Sequence, residues 1–146
     1  MDRRGYTFVE LMTAIILLGV VTAIAIPRLR NGLEKQNVRS ARGAISTMVA
    51  ITRSAAVQRG CNATLNLTTD SAWVTACPVT GAGVVAIGTK KFVGSQFGVR
   101  LSFTSAAISW DPRGIQTQFQ RNTIRVIGTT RSDSVIVNEV GKVVRQ

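Results

Sequence analysis

The sequence predicts an α+β protein: a long N-terminal α-helix, its first half fit to span a membrane, packed on a C-terminal antiparallel β domain. Three observations carry this. Tyr6 to Ile26 is an apolar run relieved only by Thr, Gly and one carboxylate, Glu10; about 20 such residues suffice to cross a bilayer. After Pro27, the residues Val38, Ala41, Ile45, Met48, Thr52, Ala55 and Ala56 recur at i, i+3, i+4 spacing, which is one face of a helix. Beyond Gly60, short alternating segments are punctuated by Gly, Pro, Asn and Asp, the pattern of strands and turns.

The elements follow in chain order. Residues 1–5, Met1-Asp-Arg-Arg-Gly5, form a short basic leader, and residues 6–27 the apolar half of the helix. A charge at the centre of a bilayer costs roughly 2.5–3.5 kcal/mol on insertion scales and less near the interface. Glu10 at the mouth of the span is therefore a functional candidate with a partner to be named. An amine created at Tyr6 by a cut after Gly5 would sit one helical turn from it. Two other readings of the run compete with a membrane anchor. A secretory signal would use Ala23-Ile24-Ala25 as its cleavage site, but Glu10 would then interrupt its apolar region without purpose. A buried soluble helix fails because nothing downstream is apolar enough to cover it.

Residues 28–59 are the amphipathic half of the helix. Arg28, Lys35, Arg39, Arg42 and Arg53 lie opposite the apolar stripe, Gly43 weakens the helix by about 1 kcal/mol relative to Ala without ending it, and Gly60 is the stop. Residues 60–146 form the β-rich domain. A hairpin of Ala63–Leu67 and Ala72–Cys77 turns at Thr69-Asp-Ser71. Further strands are expected at Val84–Ile87, Lys91–Val93, Val99–Phe103, Ala107–Trp110, Gln116–Phe119, Thr123–Ile127, Ser134–Val137 and Lys142–Arg145, with turns at Asp111-Pro-Arg-Gly114 and Asn138-Glu-Val-Gly141. Trp73 and Trp110 read as core anchors rather than stacking platforms.

Composition narrows the chemistry. Eighteen basic residues against seven acidic ones give a net charge of +11, which attracts polyanions: nucleic acid, anionic lipid or acidic polysaccharide. There is no histidine, so the usual general base and the Ser-His-Asp triad are gone. The acids beyond the leader are scattered among turns without paired spacing, and Gly88-Thr-Lys90 lacks the upstream glycine of a phosphate loop. No catalysis and no cofactor are read. The two cysteines, Cys61 and Cys77, cannot fill a tetrahedral metal shell. Outside the cytoplasm they would form a disulfide, and the hairpin between them brings them together. The sequons at Asn62 and Asn66 are too common a pattern to carry weight.

Gly5-Tyr6-Thr7-Phe8-Val9-Glu10 after a basic leader and before the apolar run resembles the processing site of type IV prepilins and of the pseudopilins of type II secretion. The resemblance implies that a membrane prepilin peptidase cuts between Gly5 and Tyr6 and that the Tyr6 amine is methylated. It gives Glu10 a role in assembly and makes Pro27 a bend in the helix. The back half, through Trp110-Asp-Pro-Arg-Gly114 and Ser134-Val-Ile-Val-Asn-Glu-Val-Gly-Lys-Val-Val-Arg145, resembles the GspH/FimT family of H-type pseudopilins and minor pilins. The expected protein is then a structural subunit. It would pass once through the bacterial inner membrane with its globular domain in the periplasm, and would have other pilins or pseudopilins as partners in a type IV pilus or a type II secretion pseudopilus.

The alternative is a DNA-binding minor pilin acting in DNA uptake. Some FimT-like proteins bind DNA through a Gly-Arg-x-Arg motif near the C-terminus, matched here by Gly141-Lys-Val-Val-Arg145, with lysine for the first arginine and the second basic residue one place late. Arg113, Arg121, Arg125, Arg131, Lys142 and Arg145 are the candidate phosphate contacts; solvated arginines on a sheet rim are the plainer reading of each. An enzyme on an uncleaved anchor, or one released by signal peptidase, is the third reading.

Overall fold

The computed structural model describes residues 7–144; the leader with Gly5 and Tyr6, and Arg145 at the other end, lie outside the described residues. The chain divides into two compact units, the first ending at Leu33 and the second beginning at Glu34. Both contain part of α1, Phe8–Arg59, a helix of 52 residues.

In the first unit every described side chain is exposed, Phe8, Ile16, Leu17 and Leu18 among them. This part of α1 is long and apolar enough to cross a membrane. Its start is capped by Thr7, whose hydroxyl accepts a hydrogen bond from the Glu10 N–H at 3.3 Å, in the Thr-x-x-Glu pattern of a capping box. Thr13 and Thr22 return their hydroxyls to backbone carbonyls of the preceding turn, which lets them sit in an apolar helix without a stranded donor. Pro27 lies inside α1, where its ring removes one backbone donor.

In the second unit the rest of α1 packs on two four-stranded sheets. The first sheet has the order β3-β2-β1-β5 and the second β4-β6-β7-β8. The strands are β1 Ala63–Leu67, β2 Ala72–Ala76, β3 Val85–Lys91, β4 Arg100–Phe103, β5 Ala107–Trp110, β6 Asn122–Ile127, β7 Ser132–Val137 and β8 Val143–Val144. All pairings are antiparallel. The apolar stripe read from the sequence is the buried face of α1, with Val49 added to it. It joins Leu65, Val74, Ile108, Trp110, Ile124, Val126 and Val135 in one core. Alternation does the rest: β1 and β2 each bury every second residue, and their other faces pair Thr64 with Ser109 and Asn66 with Thr75 through side-chain hydrogen bonds.

The helix stops as the sequence requires, with Gly60 in the left-handed region at φ 64°. Cys61 and Cys77 are joined in a disulfide, Cα to Cα 6.3 Å. Closing a loop of this length stabilises by roughly 3 kcal/mol in the chain-entropy model.

Two expected strands are absent. Over Lys91–Val93 the chain instead ends β3 at Lys91 and enters a helical turn, α2, Val93–Phe97. Gly94 accounts for it: its N–H donates to the Asp70 carbonyl at 2.8 Å, and a Cβ there would collide with the Asp70 carboxylate. Over Gln116–Phe119 the ladder closes after one bridge, Trp110 to Gln116. The Gln116 side chain turns into the interior, and Phe119 adopts φ 47°, outside the strand region. The last strand, β8, covers Val143 and Val144; Lys142, expected to open it, lies before it, and Arg145 is outside the described residues.

Candidate functional site

Glu10 stands in the first turn of α1, exposed, with its own N–H held by Thr7. A carboxylate there also meets the positive end of the helix dipole. The capping geometry thus presents the acid at the head of an exposed apolar surface that runs through Ile26.

The Trp110-Asp-Pro-Arg-Gly114 segment is a turn built around one carboxylate. Asp111 accepts from the N–H groups of Arg113 and Ile115 at 3.0 and 2.9 Å and from the Arg113 guanidinium. The Ile115 N–H and the Arg113 side chain hold its carboxyl below the usual range against a smaller opposing effect of burial. Trp110 is fully buried and donates its indole N–H to the Gly141 carbonyl at 3.2 Å. The two stretches that resemble the GspH/FimT domain therefore lock onto each other.

Glu34 was legible in the sequence only as one scattered acid. Here it accepts from the Thr130 hydroxyl, the Thr130 N–H and the Arg131 N–H, tying α1 to the turn between β6 and β7. Those bonds, the hydroxyl first, hold its carboxyl below the ordinary value. Arg42 pairs with Asp133 at 2.9 Å on the same flank. The sequence carried no short-range signal for either contact, since the partners lie more than 90 positions apart.

The candidate cations are spread over the domain. Arg113 is tied to Asp111. Arg121 and Arg131 flank opposite ends of β6, roughly 20 Å apart at strand rise. Arg125 stands mid-strand on the outward face, where Arg100, which the sequence reading passed over, also lies through the β4–β6 register. Lys142 sits in the β7–β8 turn and lines a groove beside α1 with Arg53. Trp73, expected as a core anchor, instead lies partly buried on the outward face of β2, and Lys90 covers its ring at 4.5 Å, so that ring face is taken. Among the described residues no group of three or more His, Cys, Asp or Glu side chains is placed to hold a metal.

Residues 1–26 match the family described as the prokaryotic N-terminal methylation motif. No curated protein sequence is significantly similar to the chain. Among solved structures, two crystal forms of the type IV minor pilin FimU of Pseudomonas aeruginosa strain PAO1 share the architecture. The form in space group P21 aligns with TM-score 0.62 over 77% of this chain and 90% of that one, at 11% identity. The form in P65 gives 0.60 over 74% and 91%, again at 11% identity. The chain carries a type IV prepilin motif on a minor-pilin fold, a long N-terminal helix packed on antiparallel sheets.

Proposed function

We propose that this protein is a structural minor pilin or pseudopilin. It inserts in the inner membrane with the β domain in the periplasm, is cut between Gly5 and Tyr6 by prepilin peptidase, is methylated on Tyr6, and enters a type IV pilus or type II secretion pseudopilus. The observation that carries the reading is the exposed apolar helix from Phe8 to Ile26 headed by Glu10 behind a matching methylation motif. Such a surface is at home in lipid, and outside lipid it must be covered by similar helices. Leaving the bilayer for a fibre core would bury Glu10, which costs several kcal/mol for an unpaired ion. The Tyr6 amine, its own or a neighbour's, neutralises it. Pro27, at the end of the apolar half, is the place where α1 bends.

Glu10→Ala should still insert and be cleaved but fail to enter fibres, by at least about tenfold, because one positive terminus is left buried alone. Immunoblots of sheared fibres against membrane fractions, with the intact mass of the membrane form, measure both steps; normal incorporation of the variant would sink the pairing role. DNA uptake is the second reading, favoured by the net charge of +11, and the oligonucleotide arm of the experiment below tests it.

A further inference from the structure

Among the described residues the second sheet ends on β8, Val143–Val144, with no strand paired beyond it. Asn138 donates its N–H to the Lys142 carbonyl at 2.9 Å, which makes 138 and 142 a hydrogen-bonded pair. The next pair, Val137 and Val143, is then of the wide type. In an antiparallel ladder this turns the Val143 N–H and C=O away from β7. Outside the ladders, no backbone hydrogen bond to these two groups occurs among the described residues. An edge in this state is a template for one more strand.

The edge opens onto a groove of about 580 Å³ against α1. Val49, Ala50, Val57 and Val143 form its floor, and Arg53 and Lys142 stand on its rim. A second depression sharing Ser46 and Val143 continues it to Gly43, Arg39 and Arg42. From Gly43 to Gln58 the helix side measures roughly 22 Å, the span of about six or seven extended residues. Small residues on this flank, Gly43, Ser46 and Ala50, leave the room. Of the rim cations only Arg42 is in an ion pair among the described residues.

We propose that this groove and the β8 edge bind an extended acidic segment of a partner protein, which adds a strand to the second sheet and pairs its carboxylates with Arg53 and Lys142. Alternate apolar side chains of the segment would rest on the valine floor, the period-two arrangement of strand addition. Charge selects the occupant. A second copy of this chain is a poor candidate at +11, with Glu34, Asp111 and Asp133 already engaged by their own domain. A nucleic acid would meet the cations but find no aromatic ring in the groove to stack on. The inference stands on the groove and the edge alone, and it holds whether or not the chain enters a fibre.

The test uses the full chain in detergent micelles and three labelled probes: a peptide of about seven residues alternating Val and Asp, its Val and Lys counterpart, and a short single-stranded oligonucleotide. Fluorescence anisotropy should show the Asp peptide binding at least about tenfold more tightly than the Lys peptide, and amide exchange should slow at Val143. The double change Arg53→Glu and Lys142→Glu should reverse the preference. Val143→Pro removes the edge N–H without altering charge and should weaken the Asp peptide about tenfold. If that variant unfolds, protection of the Val143 amide in the unaltered chain decides the point. Absence of Asp-peptide binding, equal binding of both peptides, displacement of the Asp peptide by the oligonucleotide, or indifference to both variants would overturn the proposal.

Discussion

Gly141 shows how a single position joins the two stretches that define the back half of the domain. Its backbone is at φ 86°, and a Cβ there would collide with the Trp110 indole nitrogen. That nitrogen is also the donor to the Gly141 carbonyl, so the tryptophan cannot withdraw without abandoning a buried hydrogen bond. Gly141→Ala combines a left-handed backbone cost of about 1–2 kcal/mol with overpacking of similar size. A loss of about 3 kcal/mol is expected, measured as a lower urea midpoint followed by tryptophan fluorescence. Gly43→Ala is the matched control. Nothing lies near its Cβ position, and its helical site favours Ala by about 1 kcal/mol. Equal effects at the two glycines would contradict the role assigned to Gly141. The turn glycine itself was readable from Asn138-Glu-Val-Gly141; that it faces Trp110 was not, because 31 positions separate the partners.

The second half of α1 is held on the sheets by its buried stripe and, at its beginning, by Glu34. The carboxylate of Glu34 is held below its ordinary pKa by the Thr130 hydroxyl and the backbone N–H groups of Thr130 and Arg131. A carboxyl depressed in the folded state stabilises above the unfolded value and loses that contribution as pH falls through the folded one. The unaltered protein should therefore exceed Glu34→Gln in stability at pH 6–7. The difference should shrink below about 4.5, and urea titrations of both proteins across this range measure it. A gap independent of pH would remove Glu34 from this role. The same elements show what periodicity can and cannot deliver. Seven stripe residues of α1, Val38 to Ala56, were legible because about five turns of repetition leave one solution. The helical turn α2 was not, since Phe92-Val93 is too short an apolar run to separate helix from strand, and the Gly94–Asp70 contact decides it. Gln116 likewise alternates like a strand residue, yet the ladder beyond it gives way to the left-handed Phe119.

The largest division in the molecule falls between Leu33 and Glu34, six residues beyond the end of the apolar segment that composition marks at Pro27. Hydrophobicity without partners marks the first part; alternation and turn residues mark the second. The structure adds where the second part becomes independent. Among the described residues no core residue precedes Val38, and the earliest long-range hydrogen bonds belong to Glu34. The disulfide, both sheets and the whole buried stripe lie beyond that point. Among the described residues, 7–30 are all exposed, so removing residues 1–30 should leave the core of the second unit intact. The fragment 31–146 should be soluble without detergent and melt in one cooperative step, with near- and far-ultraviolet circular dichroism coinciding. Its midpoint should fall within about 5 °C of the full chain in detergent, since about 1 kcal/mol shifts a domain of this size by several degrees. Reduction of Cys61–Cys77 should lower both midpoints alike, because the roughly 3 kcal/mol of loop closure belongs wholly to the second unit. A fragment that melts without cooperativity, or that responds to reduction while the full chain does not, would mean that the first 30 residues contribute to the fold.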